Sequence, residues 1–389
     1  MYSFREGGTD EREAGMLQNR GKEKRTDMAK TAKYQQVIDW IKNRIENGEL
    51  RDGDRLETEQ EIGEKFGISR QTVRHGLSLL EKEELLEKIQ GSGSYVRTWR
   101  QREGAPQLSH TVSIISSYVD SYIFPRILQS MVKALERAGY TSRIMFTGNH
   151  LETERNLLNR MREENSQDPL IVEPVIRGLP NPNLDDYRKL QKKGIPILFF
   201  NSFYPELELP HVSMNDKAAG RLATEYLIER GHTRIGGIFK SDDGQGRCRY
   251  RGYLDAMQKR GLPITEKRIR WIDTMELNWL EQNGSQLLER LSDCTACVCY
   301  NDQVAHALTE VCTREGIRIP EELSLVSIDN SELSRLNAVE LTSVAHPMEA
   351  LGKRAAENLL HLVMNPRYEA TYEFVPEIVE RKSVADLRH

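Results

Sequence analysis

The chain has 389 residues, 38% of them apolar and 29% charged, with a net charge of −4. That length suggests two or three domains at about 100–200 residues each, no run approaches the roughly 18 apolar residues of a membrane span, and the charge balance excludes a uniformly basic nucleic-acid coat. The opening residues carry charges of both signs and no apolar stretch, which excludes a secretory signal and predicts a cytoplasmic protein.

Residues 1–27 hold six basic and six acidic residues without apolar periodicity. They read as a disordered extension, or as a start placed too early, with Met28 opening the patterned sequence. Residues 28–98 read as one compact domain. Val37, Ile38, Ile41 and Ile45 share a helical face, and Gly48 ends that helix. Thr58 and Glu61 form a capping box for a short second helix that Gly67 closes. Ser69 caps a third helix with Val73, Leu77 and Leu80 on its inner face. Residues 85–90 and 94–97 read as two strands joined by Gly91-Ser92-Gly93.

The outer face of the third helix carries the chemistry. Arg70 and Arg74 lie four apart and share that face, and Gln71, His75 and Ser78 also turn away from the core. Arginine can donate a bidentate pair to guanine, and glutamine can pair with adenine. The segment holds 12 basic and 13 acidic residues, so a DNA footprint requires Lys30, Lys33, Arg70, Arg74 and Arg97 on one side and the acids elsewhere.

These elements resemble the winged helix-turn-helix of the GntR family of bacterial transcription regulators. The matching residues are Tyr34 and Val37, Gly48 with Leu50, Gly53-Asp54-Arg55-Leu56, Thr58-Glu59, Phe66-Gly67-Ile68-Ser69-Arg70, Thr72-Val73-Arg74 and Gly91-x-Gly93-x-Tyr95-Val96. The resemblance implies that Arg70, Gln71, Thr72 and Arg74 meet the major groove. It also implies that Gln90 and Gly91 reach the minor groove or backbone, and that Lys33 holds phosphate. Glu57 stands where the family usually has proline, and His75-Gly76 replaces a commoner pair; Gly76 is expected to weaken the helix by up to about 1 kcal/mol.

Residues 99–108 read as a linker. From residue 109 to 389, strands at 111–116, 142–146, 169–173, 195–200, 234–239, 295–300 and 323–328 alternate with helices such as 127–138, 216–230, 246–260 and 303–315. This predicts an α/β domain of parallel sheets covered by helices, as one sheet or two similar lobes. Five cysteines, an odd number, argue against a disulfide framework. Cys297 and Cys299 fall on one face of an apolar strand with Cys294 just outside, and read as buried thiols, not zinc ligands.

Strand ends in such sheets are where polar side chains emerge. Glu173, Asn201, Asn301 and Asp329 follow four of the predicted strands, and Tyr118, Tyr122 and Phe124 follow the first. Carboxylates, amides and an arginine beside an aromatic face suit a sugar. Asp302 reads as the cap of the following helix, and His232 as a turn residue.

The stretches at 212–238, 249–262, 300–332 and 341–360 resemble the LacI/GalR family's sugar-binding domain, of periplasmic-binding-protein fold. By that resemblance Arg249, Asn301 and Asp329 contact effector. Strand-end placement adds Tyr122, Phe124, Glu173, Asn201 and His346, which stands before Pro347, and the tract 237–246 adds Lys240, Asp242 and Gln245. A GntR-type reader on a LacI-type sensor, with YIFP (122–125), IVEP (171–174), CYND (299–302) and LTSVAHP (341–347), resembles the arabinose repressors. That resemblance implies a two-lobed sensor, a homodimer on double-stranded operator DNA, no cofactor, and release by L-arabinose. Residue chemistry alone indicates a small neutral polyol. The alternatives are another sugar, or a purine acting as corepressor. An enzyme is the rival class, but no GxGxxG, Walker A, HExxH or GxSxG motif occurs.

Overall fold

In the computed structural model, residues 33–45, 49–50, 53–83, 85–89, 92–96 and 108–388 are described, apart from 177, 278, 281 and 283. The extension 1–27, Lys30, Gly48, Gln90, Gly91, Arg97 and nearly all of the linker 99–108 lie outside the described residues. The chain divides after Ala105 into two units.

In the first unit, α1 (33–45) buries Val37, Ile38, Ile41 and Ile45. In α2 (Glu59–Phe66), the Thr58 hydroxyl accepts from the Glu61 N–H, the Glu61 carboxylate accepts from the Thr58 N–H at 2.7 Å, and Gly67 closes the helix at φ 61°. Ser69 caps α3 (Arg70–Lys82), whose buried face is Val73, Leu77 and Leu80. Strands β1 (Leu86–Ile89) and β2 (Gly93–Val96) pair antiparallel from Leu86 opposite Val96 to Ile89 opposite Gly93. Their inner residues complete the core laid down by the three helices.

Both departures from the family pattern have a physical reason. Glu57 receives the Arg44 guanidinium at 2.7 and 2.9 Å. Gly76 is buried where α3 crosses α1, and a Cβ there would meet the Tyr34 carbonyl at 3.3 Å. The propensity cost of that glycine is therefore offset by close helix packing.

The second unit contains two six-stranded sheets. The chain builds β3 (Thr111–Ser116), α4 (Phe124–Arg137), β4 (Thr141–Phe146), α5 (Leu151–Glu163), β5 (Leu170–Val172), α6 (Leu184–Lys192), β6 (Ile197–Phe200) and β7 (His211–Met214). It then crosses to the second lobe for α7 (Asp216–Glu229), β8 (Ile235–Lys240), α8 (Gly244–Lys259), β9 (Ile269–Ile272), α9 (Thr274–Leu277), α10 (Gly284–Leu291), β10 (Ala296–Cys299), α11 (Asp302–Arg314), β11 (Ser324–Asp329), α12 (Leu333–Leu336) and β12 (Thr342–Ala345). It returns for α13 (Met348–Met364) and β13 (Tyr372–Phe374), and crosses again to β14 (Glu377–Val379).

The strand orders are β13-β7-β6-β5-β3-β4 and β14-β12-β11-β10-β8-β9, parallel throughout except β14 against β12. Each sheet reverses its winding between its first strand and its third, β3 beside β5 and β8 beside β10, which opens a crevice at the carboxyl ends. The first lobe's core packs α4 and α13 on its sheet through Ile127, Met131, Leu351 and Leu359. In the second lobe, Cys297 and Cys299 face α11 and its Cys312, while Ala296 and Val298 face α7 and α8. Burial pushes the Cys294 and Cys312 thiols up to about 12.

Candidate effector cleft and DNA-reading surface

The strand ends of both lobes converge on a cavity of about 330 Å³. Of the predicted effector residues, Tyr122, Phe124, Glu173, Asn201, Lys240, Gln245, Arg249, Asn301 and Asp329 line it. Tyr118 and Tyr300 add aromatic faces.

Arg249 is the centre of the site. Only 1% of it is exposed, and its guanidinium reaches Asp216 at 2.9 Å, the Tyr300 carbonyl at 2.6 Å and Asp329 at 3.1 Å. Burial alone would pull its pKa down; the Asp329 and Asp216 carboxylates outweigh that, and it stays charged. Tyr122 donates from its hydroxyl to Asp329 at 2.7 Å, across the two lobes. Burial, and then the Asp329 charge, hold the Tyr122 phenol protonated well above its usual range. Tyr122 and Asp329 adopt left-handed backbone at φ 59° and 107°. Such backbone is disfavoured for a side chain as bulky as tyrosine and recurs at ligand clamps.

On the opposite wall, Glu173 accepts from the Ser117 N–H at 2.9 Å and the Asn201 amide at 2.8 Å. The Asn201 amide oxygen in turn accepts from Gln245 at 3.1 Å, again across the lobes. Lys240, 8% exposed, holds its ammonium 3.3 Å from Asp243. Tyr300 donates its hydroxyl to the same Asp243 carboxylate.

Two predicted residues stand outside the lining. Asp242 turns away to accept from the Thr274 N–H at 3.0 Å and from its hydroxyl. His346 lies behind Asn201, with Nε2 3.0 Å from the amide oxygen, and burial lowers its pKa to about 4, so it is neutral. The capping role expected of Asp302 belongs to Asn301, whose side chain accepts from the Val304 N–H at 3.0 Å. Asp302 instead points inward to Ser327, Ser331 and Ser343, and burial, with the nearby Asp329 charge, raises it to about 6. His232 is a structural residue, bridging Thr295 and the Ala385 carbonyl.

Ser117, Ser121, Asn149, Thr274 and Gln303 also line the cavity and were not predicted. Asn149 had a usable signal: it follows β4 as Asn201 follows β6. Thr274 did not, because it follows β9, a strand with Arg270 and Trp271 in its middle.

On the reader, Arg70 and Gln71 project from the first turn of α3 and are exposed, as is Lys33 on α1. Thr72 is half-buried, its hydroxyl 2.8 Å from that of Ser69. Arg74 is also exposed, but its guanidinium grips Glu59 at 2.7 and 3.0 Å, and Lys88 lies 3.5 Å from the same carboxylate. The acids are therefore not all elsewhere. Chiefly the Arg74 hydrogen bond lowers the Glu59 pKa, so the carboxylate is ionised and pairs with the Arg74 guanidinium.

A winged helix-turn-helix followed by a two-lobed cleft of buried polar groups defines a ligand-responsive DNA-binding regulator. Residues 33–96 match the model of the bacterial regulatory proteins of the gntR family, and 224–384 match the periplasmic binding protein-like domain. The chain is 34% identical over 361 residues to the arabinose metabolism transcriptional repressor of Geobacillus stearothermophilus, covering 91% of this chain and 98% of that protein. It is 32% identical to the repressor of the same name from Halalkalibacterium halodurans, over 92% and 97%. Among solved structures it is similar in fold to the transcriptional regulator CelR–cellobiose complex, with TM-score 0.63, 21% identity, and 81% and 90% of the chains covered. The transcription regulator CcpA of Lactococcus lactis gives TM-score 0.62 at 22% identity, over 70% and 98%. The chain belongs to the family of arabinose metabolism transcriptional repressors. It is a DNA-binding repressor of the sugar-responsive type, not an enzyme.

Proposed function

We propose that the protein represses genes of arabinose use as a homodimer on double-stranded operator DNA, and lets go when L-arabinose fills the cleft. The observation that carries this reading is the composition of the cavity wall. Three carboxylates, Glu173, Asp243 and Asp329, stand against two cations, Lys240 and Arg249, interleaved with amides and aromatic faces. A sugar hydroxyl both donates and accepts, so a wall of alternating acceptors and donors fits a neutral polyol. A phosphorylated or acidic sugar would meet a net negative wall. The names of the two repressors select arabinose among neutral sugars. In the reader, Arg70, Gln71, Thr72 and Arg74 meet the major groove, Gln90 and Gly91 reach the minor groove or backbone, and Lys33 holds phosphate. No helix among the described residues is long and apolar enough to cross a membrane, and the reading places the protein in the cytoplasm with its DNA.

Thermal melting against a panel of L-arabinose, D-xylose, D-galactose and hypoxanthine tests the ligand. A compound that binds only the folded state at 100 times its Kd adds about 2.7 kcal/mol and raises the midpoint. L-arabinose is expected to give the largest rise. A rise with hypoxanthine and none with any sugar would replace this reading with a purine corepressor.

A further inference from the structure

Three of the side-chain hydrogen bonds that cross the cleft join residues lining the cavity: Tyr122 to Asp329, Gln245 to Asn201, and Asn149 to Thr274 at 3.2 Å. A further crossing contact does not involve the lining. Gly178, on the turn after β5 in the first lobe, donates its N–H to the Asp242 carbonyl at 3.2 Å. Its own carbonyl accepts from Arg247, on α8 of the second lobe, at 2.5 Å. Neither Gly178 nor Arg247 lines the cavity.

The two backbones touch there with no space for a side chain. A Cβ on Gly178 would lie 2.5 Å from the Asp242 carbonyl carbon, 2.6 Å from the Asp243 nitrogen and 2.8 Å from the Ser241 oxygen. Gly178 is not among the residues with left-handed backbone, so the requirement is room, not conformation. The turn carrying it is held firmly. Ile176 adopts φ 40°, a disfavoured region for a β-branched residue, with its N–H on the Asn149 side-chain oxygen at 3.1 Å. Beyond the turn, the fully buried Glu154 carboxylate accepts from Asn181, Asn183, Tyr187 and Tyr204. Asn149 thus touches the cavity, the opposite lobe and this turn at once.

We infer that Gly178 and Arg247 form a latch outside the effector cavity that sets how much of the sensor is closed before effector arrives. They are positioning residues for effector binding. The inference rests on the reading of the cleft as an effector site. If only the closed form binds tightly, the apparent Kd is the intrinsic Kd divided by the closed fraction, so a broken latch weakens binding with every cavity contact intact.

The test uses the full chain carrying G178A, R247A or R247K. Calorimetry with L-arabinose is expected to show at least a tenfold loss of affinity in G178A and R247A and a partial return in R247K, whose ammonium can still donate to the Gly178 carbonyl. Operator affinity without sugar is expected not to fall, because opening the cleft favours the form that grips DNA. Without sugar, amide exchange across 240–247 is expected to quicken in R247A. Native effector affinity in R247A, or unchanged exchange there, overturns the latch. If the native chain binds no sugar, the effector reading fails while the exchange comparison still decides the latch. If G178A does not fold, R247A and R247K carry the test.

Discussion

Replacing Arg249 by alanine is expected to abolish the effector response and to destabilise the sensor unit. The guanidinium is fully buried and pairs with Asp216, Asp329 and the Tyr300 carbonyl, and its carbon lies over the Tyr300 ring, 4.9 Å from the centroid. Alanine leaves the buried Asp329 and the half-buried Asp216 without their cation, and breaking a buried pair costs about 3–5 kcal/mol. It also releases Asp329 from the position where Tyr122 meets it across the cleft. Lysine keeps the charge, but its compact ammonium lacks the planar fork that reaches all three partners, so R249K is expected to recover stability more than affinity. Urea unfolding separates the first effect and calorimetry with L-arabinose the second. Native-like sugar binding by R249A would show that the cleft works without its central cation.

The second large effect is expected at the reader. Arg70 is exposed on the first turn of α3 with no carboxylate partner among the described residues. R70A is expected to lower operator affinity by about 1–3 kcal/mol, roughly five- to over a hundredfold, and to relax discrimination at one base pair. Arg74 is expected to behave differently because Glu59 holds it. Gripping DNA through Arg74 means sharing or surrendering that ion pair, so R74A is expected to cost less than R70A. Binding measured on matched and mutated duplexes over a range of salt checks both. A uniform loss on all sequences, with a smaller salt slope, would assign Arg70 to phosphate and not to a base.

Much of this was legible in the sequence where the physics is local. The seven predicted strands correspond to β3, β4, β5, β6, β8, β10 and β11; all but the exposed edge strand β4 are buried on both faces, where parallel strands read as continuous apolar runs. The edge strands β9, β13 and β14 escaped because they carry mixed residues, and the interior strands β7 and β12 escaped because each is four residues long with polar residues interleaved. The choice between one sheet and two needed the three crossings between lobes, which no local pattern encodes.

The site follows the same division. Strand-end logic reached Glu173, Asn201, Asn301 and Asp329, all in the lining. It misjudged Asp302, because capping rules are local while three serines from other segments drew that carboxylate inward. It placed His346 in the lining, as the tract 237–246 placed Asp242, and they instead buttress Asn201 and Thr274. Sequence distance from a strand end does not tell which way a side chain turns. Nor did the count of acids and bases foresee Glu59 between Arg74 and Lys88.

The most direct measurement is a fluorescence anisotropy titration of the full chain on a duplex selected from random sequence, repeated with saturating L-arabinose. A tenfold shift needs only about 1.4 kcal/mol of preference of the sugar for the non-binding state. The account predicts at least that loss of affinity with L-arabinose and none with D-galactose. Equal grip on the duplex with and without bound arabinose would contradict it.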